Sequence, residues 1–70
     1  MNRERVHSSV IASIGYDSAA EMLEVEFHTG RTYQYFDVPA RIHHELLAAD
    51  SIGAYFNNEI KPRYRSVEVT

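Results

Sequence analysis

Apolar and polar residues alternate through the first half of this chain, and apolar residues recur every three or four positions in the second half. Alternation over residues 8–16 predicts a half-buried strand whose inward residues are Val10, Ala12, Ile14 and Tyr16. Ile11 interrupts the polar side of that strand, so we expect a helix or loop to cover part of it. Two more strands are predicted over residues 21–27 and about 31–36. Because short loops join antiparallel neighbours, the three strands form a β-meander.

The turn between the second and third strands decides which residues face the core. A two-residue loop at Thr29-Gly30 would require positive φ at Thr29, which is unfavourable. A three-residue loop over residues 28–30 places Gly30 at the left-handed position, where glycine has no steric penalty. We therefore predict the register in which Leu23, Val25, Phe27, Tyr33 and Tyr35 share one face and Glu24 and Glu26 the other.

Two short helices are predicted after the meander. Pro39 begins the first helix, whose apolar stripe consists of Ile42, Leu46, Leu47 and Ala49. A second helix over residues 52–58 is capped by Asp50 or Ser51, and its apolar members are Ile52, Tyr55 and Phe56. Gly53 is a poor helix former there, so we expect it to permit a close backbone approach. The predicted class is α+β, a three-stranded antiparallel meander packed against two short C-terminal helices, to which residues 63–70 add an edge strand or stay loose.

The chain has 70 residues, enough for one small core and not for two. We predict one domain over residues 6–64, with flexible termini at 1–5 and 65–70. The absence of cysteine leaves stability to packing alone, which dimerisation would supplement. No apolar run has the length of a signal peptide or a transmembrane helix, so we expect a cytoplasmic protein without membrane contact.

The ionisable side chains favour binding over catalysis. His43 and His44 are adjacent and point about 100° apart on a helix, so we expect neither a metal site nor another cofactor. Ser8, Ser9 and Ser51 lack a fixed base, and Glu24 and Glu26 fit a solvated strand face better than acid–base chemistry. We therefore predict that the chain is not an enzyme.

Two segments have a composition that suits nucleic acid. Tyr33-Gln34-Tyr35 can supply a stacking platform for bases, although the predicted register favours packing in the core. Lys61-Pro62-Arg63-Tyr64-Arg65 combines three cations with an aromatic ring, yet also fits a solvated tail. The net charge of −3, from seven basic and ten acidic residues, argues against a nucleic-acid coat protein and leaves room for a local basic patch.

Most of the chain, from about Val6 to Tyr64, resembles the KTSC domain family. The resemblance is carried by Ser8-Ser9, Gly15-Tyr16-Asp17, residues 23–27, Gly30, Tyr33-Gln34-Tyr35, Val38-Pro39, residues 51–57, Ile60-Lys61 and Tyr64. That family is named for its place at the C-terminus of some lysyl-tRNA synthetases, and it includes stand-alone bacterial proteins. The tail beyond Tyr64 departs from the family pattern.

The resemblance implies a non-enzymatic module with RNA, either tRNA or a single strand, as its leading ligand, and it implies no catalytic residues. The family pattern marks Ser9, Tyr33, Tyr35, Ser51, Gly53, Asn57 and Lys61. We predict that RNA contacts Ser51, Asn57, Lys61, Arg63, Tyr64 and Arg65. The alternative is a protein-interaction module that binds a partner or a second copy through a sheet edge or the helix over residues 52–58.

Overall fold

The computed structural model, which describes residues 2–70, contains one antiparallel sheet with two short helices on one of its faces. The α+β class is confirmed, but the sheet has five strands and not the three that the sequence predicted. They follow the order of the chain and are β1 (Arg3–Arg5), β2 (Ile11–Asp17), β3 (Met22–Phe27), β4 (Thr32–Tyr35) and β5 (Ser66–Glu68).

Both ends of the chain contribute an edge strand. β5 is the C-terminal edge strand that the sequence allowed, and β1 was not predicted, because its three residues are all exposed and charged. Each segment predicted as a flexible terminus, residues 1–5 and residues 65–70, thus contains a three-residue strand. Their flexibility stays a prediction.

The register of the β3–β4 hairpin is the predicted one. Val25 pairs with Tyr33 and Leu23 with Tyr35. Gly30 has a φ of 94°, and its N–H donates to the Phe27 carbonyl at 3.0 Å. The loop therefore holds three residues, and the apolar side chains of both strands lie on the side of the helices.

A bulge in β2 corrects the predicted inward face of that strand. Ile11 pairs with Phe27 and Ser13 with Glu26, so Ala12 is an extra residue between the two pairs. The extra residue turns Ile11 inward, where it is fully buried, while Val10 is 41% exposed. The prediction assumed strict alternation and so placed the Val10 side chain inside. The bulge adds one residue, and every residue before it therefore faces the side opposite to the predicted one.

Helix α1 (Ala40–Ala48) and helix α2 (Ile52–Tyr55) cover the inner face. The Ser51 hydroxyl caps α2 by accepting a hydrogen bond from the Ala54 N–H at 3.2 Å, as predicted. The helix continues as a π-helical turn over Phe56–Ile60, in which the Lys61 N–H donates to the Phe56 carbonyl at 2.9 Å. The buried core is made of Ile11, Ile14, Leu23, Val25, Tyr35, Val38, Ile42, Leu46, Phe56 and Ile60.

Arg3 organises a cluster of polar side chains on the outer face of the sheet. Its guanidinium lies 3.5 Å from a Glu24 oxygen and 3.9 Å from a Glu26 oxygen, and it donates to the Thr32 hydroxyl at 3.4 Å. The Ser13 hydroxyl donates to Glu26 at 2.8 Å. These acidic side chains therefore lie on the opposite side of the sheet from the helices, as the register requires.

An aromatic stack joins β2 to α1. The rings of Tyr16 and His43 are parallel within 12°, with centroids 4.6 Å apart, and the Tyr16 hydroxyl donates to the Val38 carbonyl at 2.6 Å. Burial lowers the pKa of His43 from its ordinary value of 6.5, His44 lowers it further, and Glu4 acts in the opposite direction. The fold thus favours the neutral imidazole.

Replacing Gly30 by valine is expected to lower the free energy of unfolding by roughly 1–3 kcal/mol, because a β-branched residue is strained at positive φ. The space around Gly30 is open, so the loss would come from the backbone and not from a clash. Urea unfolding measures it, with Thr29→Val as the control in the same loop. A Gly30→Val variant as stable as the control would contradict this account of the turn.

Lowering the pH from about 7.5 to about 5.5 is expected to reduce stability through His43. Because the pKa of His43 is lower in the fold than in the unfolded chain, the unfolded chain takes up this proton first as the pH falls. The contribution of His43 is present above the ordinary value of 6.5 and is lost as the pH falls through the lower value in the fold. His43→Phe keeps a ring on Tyr16 but cannot titrate, so its urea midpoint should fall less than that of the wild type. Equal falls would show that His43 does not carry the effect.

Candidate functional site

A cleft of about 500 Å³ opens between the tip of the β3–β4 hairpin and the π-helical turn. We call it the aromatic cleft because four of its lining side chains are aromatic. It is lined by Val10, Phe27, Thr29, Arg31, Tyr33, Tyr35, Phe56, Asn57, Lys61 and Ser66. Three neighbouring strands, β3 to β5, and the π-helical turn therefore contribute to a single concave surface.

The aromatic rings differ in how far solvent can reach them. Tyr35 and Phe56 are 4% and 2% exposed, and their rings meet edge to face at 5.4 Å. Phe27 and Tyr33 are only half-buried, and their rings also meet edge to face, at 5.8 Å. The sequence left two roles open for Tyr33-Gln34-Tyr35, packing in the core and stacking on bases, and the two tyrosines differ in the role they fit. Tyr35 belongs to the core, and Tyr33 offers part of its ring to the cleft.

Polar groups flank these rings. Burial raises the pKa of Tyr35 above 10.0, although a hydrogen bond with the Ser66 side chain acts in the opposite direction, so the phenol remains a neutral donor near neutral pH. The Tyr33 hydroxyl donates to a Glu68 oxygen at 3.3 Å, and the Arg31 guanidinium lies 3.4 Å from the same oxygen. Among residues 2–70, Lys61 forms no ion pair, so its charge is available to a ligand.

A second cleft, of about 450 Å³, lies next to the aromatic cleft, and Val10 and Asn57 line both. We call it the serine cleft, and it is lined by His7, Ser8, Ser9, Val10, Asp50, Ser51, Ile52, Gly53, Ala54 and Asn57. Its walls are the loop before β2 and the first turn of α2. The two clefts lie side by side, and we refer to them together as the groove.

Local hydrogen bonds fix the loop that forms one wall of the serine cleft. The Ser8 hydroxyl accepts from the N–H groups of Val10 at 3.1 Å and Ile11 at 3.2 Å. The His28 Nε2 atom lies 2.8 Å from the Ser8 carbonyl oxygen, which ties the hairpin tip to this loop. The groove is therefore largely preformed.

The hydroxyls of Ser8 and Ser51 are hydrogen-bonded to the backbone. Ser8 and Ser51 accept backbone N–H groups, and within residues 2–70 no serine hydroxyl is hydrogen-bonded to a histidine. In the same part of the chain, no group of three or more His, Cys, Asp or Glu side chains is arranged to hold a metal ion. None of the helices there has the length and apolar character needed to cross a membrane.

The most strongly perturbed hydroxyl lies outside both clefts. Partial burial and the hydrogen bond that Tyr55 donates to Glu45 at 2.9 Å raise the pKa of Tyr55 to about 12. That bond and the one from Arg41 in turn lower the pKa of Glu45. Because Glu45 is on α1 and Tyr55 on α2, this interaction holds the two helices together.

The structure brings together every residue that the family resemblance marked. All seven line one of the two clefts: Ser9, Tyr33, Tyr35, Ser51, Gly53, Asn57 and Lys61. The predicted RNA-contacting set is divided. Ser51, Asn57 and Lys61 line the groove, whereas Arg63, Tyr64 and Arg65 lie outside it.

Those three outer residues have structural contacts of their own. Arg63 lies 3.5 Å from Glu59 one turn earlier. The Arg65 guanidinium carbon lies 5.8 Å from the centre of the Phe36 ring, and half-buried Tyr64 packs against the core.

Sequence reasoning missed Arg31 and Phe27 as cleft residues. The signal was present, since Arg31 precedes Tyr33 by two positions and so shares the face of Tyr33 and Tyr35. It also missed Val10, which the bulge leaves partly exposed, and Asp50, which the loop between α1 and α2 places in the serine cleft.

Comparison with protein families matches residues 7–64 to the KTSC domain. A protein of Tsukamurella paurometabola is 45% identical over 62 residues, which cover 89% of this chain and 92% of that protein. A lysine–tRNA ligase of Nostoc punctiforme is 37% identical over 57 residues, which cover 81% of this chain but 10% of the ligase.

A solved structure extends the similarity to the backbone. The crystal structure of a KTSC domain protein from Yersinia pestis superimposes with a TM-score of 0.96 at 40% identity, covering 99% of this chain and 97% of that one. The family match and this fold agree over nearly all described residues. The chain belongs to the KTSC domain family.

Proposed function

We propose that this chain is a non-enzymatic module that binds single-stranded RNA in the groove. The observation that carries the proposal is the half-buried pair of rings, Phe27 and Tyr33, with Arg31 and Lys61 lining the same cleft. Rings that stack on bases beside cations that contact phosphates are the elements of single-strand binding. The similarity to part of a lysine–tRNA ligase supports RNA as the class of ligand.

Each part of the aromatic cleft has a role in this proposal. One base stacks against the accessible part of Tyr33 or Phe27, an interaction worth roughly 1–3 kcal/mol per base. The Asn57 side chain offers both an amide donor and a carbonyl acceptor to the edge of that base. Lys61 neutralises one flanking phosphate, and Arg31 neutralises another when it exchanges its contact with Glu68 for a phosphate.

The serine cleft suits a sugar better than a phosphate. It combines the hydroxyls of Ser8, Ser9 and Ser51 with the carboxylate of Asp50, which repels a phosphate but accepts a hydrogen bond from a ribose. A 2′-hydroxyl donates and accepts, so this part of the groove favours RNA over DNA. The outer face of the sheet is unsuitable, because Glu24 and Glu26 lie there.

Gly53 supports a binding role for the serine cleft. A Cβ atom at this position would lie 3.5 Å from Val10 Cγ2 and 3.6 Å from Ser8 Oγ, which is ordinary contact distance. The loop before β2 therefore approaches Gly53 closely but leaves room for the methyl group of alanine. Glycine inside a helix lowers the free energy of unfolding by roughly 1 kcal/mol relative to alanine. The protein is therefore less stable with Gly53 than with alanine there, but the groove stays open at this position.

RNA binding can be tested by titrating the protein with tRNA and with a short single-stranded RNA while following amide shifts. Two phosphate contacts give a log–log salt slope of roughly −1.4, at about −0.7 per contact in a single strand. The Arg31→Ala, Lys61→Ala double variant should lose most of this slope, and Tyr33→Leu should lose stacking while it keeps the slope. Arg41→Ala, which removes an exposed cation from α1, is the control and should bind as the wild type does.

A Lys61→Ala, Arg63→Ala, Arg65→Ala variant separates the groove from the predicted basic tail. If the groove is the site, this variant should behave like Lys61→Ala alone. The absence of wild-type binding at low salt, or an affinity without salt dependence, would refute the RNA proposal and favour a protein partner.

Gly53→Ala is expected to raise the free energy of unfolding by up to about 1 kcal/mol and to weaken RNA binding. Thermal melting and the same titration measure both effects. Ala54→Gly, the reverse change at the next position of α2, should lower stability by a similar amount. Unchanged RNA affinity in a stabilised Gly53→Ala protein would remove the serine cleft from the binding site and leave the aromatic cleft.

A further inference from the structure

The strand β5 is a free edge that presents two exposed valines. It pairs with β4 on one side, and within residues 2–70 no strand pairs with its other side. Val67 and Val69 are 47% and 45% exposed. Val67 pairs with Gln34, whose side chain donates to Glu24, so it lies on the face of the sheet away from the helices. Val69, two residues on, shares that face.

Two hydrogen bonds show which backbone groups of the edge are unused. The Phe36 N–H donates to the Arg65 carbonyl at 3.0 Å, and the Val69 N–H donates to the Thr32 carbonyl at 2.8 Å. Backbone groups in an antiparallel pair alternate in direction, so those of Arg65, Val67 and Val69 point toward β4. Those of Ser66 and Glu68 point away, toward the free side.

We propose that a second copy of this chain binds this edge, with β5 paired antiparallel to β5 of the other copy. In a two-fold antiparallel pair, one central residue faces the same residue of the other copy. Centring the pair on Glu68 would oppose two carboxylates, and centring it on Ser66 would use fewer of the free backbone groups. Centring it on Val67 places Ser66 of each copy opposite Glu68 of the other. The free N–H and C=O groups of these two residues then form both backbone hydrogen bonds of each pair.

The Val67 register also suits the side chains. Val67 then faces Val67 of the second copy in a non-hydrogen-bonded pair, where opposing side chains are closest. The carboxylate of Glu68 lies beside the hydroxyl of Ser66 across the interface. The free edge at β1 lacks such a register, because each of its residues, Arg3, Glu4 and Arg5, would face its own like charge.

The pairing would join the two grooves as well as the two sheets. Ser66 lines the aromatic cleft, so the cleft of each copy would begin beside the dimer axis, and both would open on the side of the helices. Because each edge strand has only three residues, the interface is small, and the dimer should be weak.

Sedimentation equilibrium of the ligand-free protein tests the proposal. The wild type should approach twice the 8.1 kDa of one chain at roughly 1 mM and remain monomeric at roughly 10 µM, as expected for a small interface. Val67→Lys places two cations face to face on the dimer axis and should remain monomeric. Ala48→Lys adds the same charge to an exposed site on α1 and should dimerise as the wild type does.

Amide hydrogen exchange on the wild type supplies a readout that needs no variant. Protection of the Ser66 and Glu68 N–H groups should rise between the two concentrations, while that of the Val69 N–H, already bonded to Thr32, should change little. A wild type that is monomeric at both concentrations, or a dimer that persists in Val67→Lys, would overturn the proposal.

Discussion

The positive φ of Gly30 fixes the arrangement on which the rest of this domain depends. It closes a three-residue loop, and the loop length sets the β3–β4 register in which Tyr33 and Tyr35 lie beside Val25 and Leu23. A shift of one residue would send every side chain of β4 to the opposite face. The core would then lose Tyr35, and the cleft would lose Tyr33 and Arg31. Stability and binding surface therefore depend on the same turn.

A second constraint acts at the start of β2. The extra residue Ala12 lets Ile11 join the core, and Val10 in the preceding loop is left partly exposed. That loop is then fixed by the Ser8 hydroxyl and lies against α2 at Gly53. The bulge thus sets the side on which Val10 lies, and Val10 lines both clefts.

The sequence was sufficient for the features that local chemistry decides. Glycine at a turn, proline before a helix and serine at a cap each have one strongly preferred conformation, and the hairpin register and the Ser51 cap were predicted from them. The inward turn of Ile11, the strand at Arg3–Arg5 and the π-helical turn were not predicted, because each depends on contacts between distant segments. The site shows the same division. The marked residues were identified as separate positions, and only the fold joined them into a groove.

The π-helical turn holds one residue more than an α-helix would hold between the same two ends. Its hydrogen bond from Lys61 to Phe56 spans five residues, whereas an α-helical bond spans four. A chain with one residue fewer between Phe56 and Ile60 could complete the same segment as an ordinary α-helix. The Lys61 N–H would still reach the Phe56 carbonyl, because the deletion makes it the fourth residue after Phe56, so Lys61 would keep its place at the cleft. Only the side chains between Phe56 and Lys61 would change direction, so a relative with a single deletion here can keep both the buried ring and the cation while it presents different polar side chains between them.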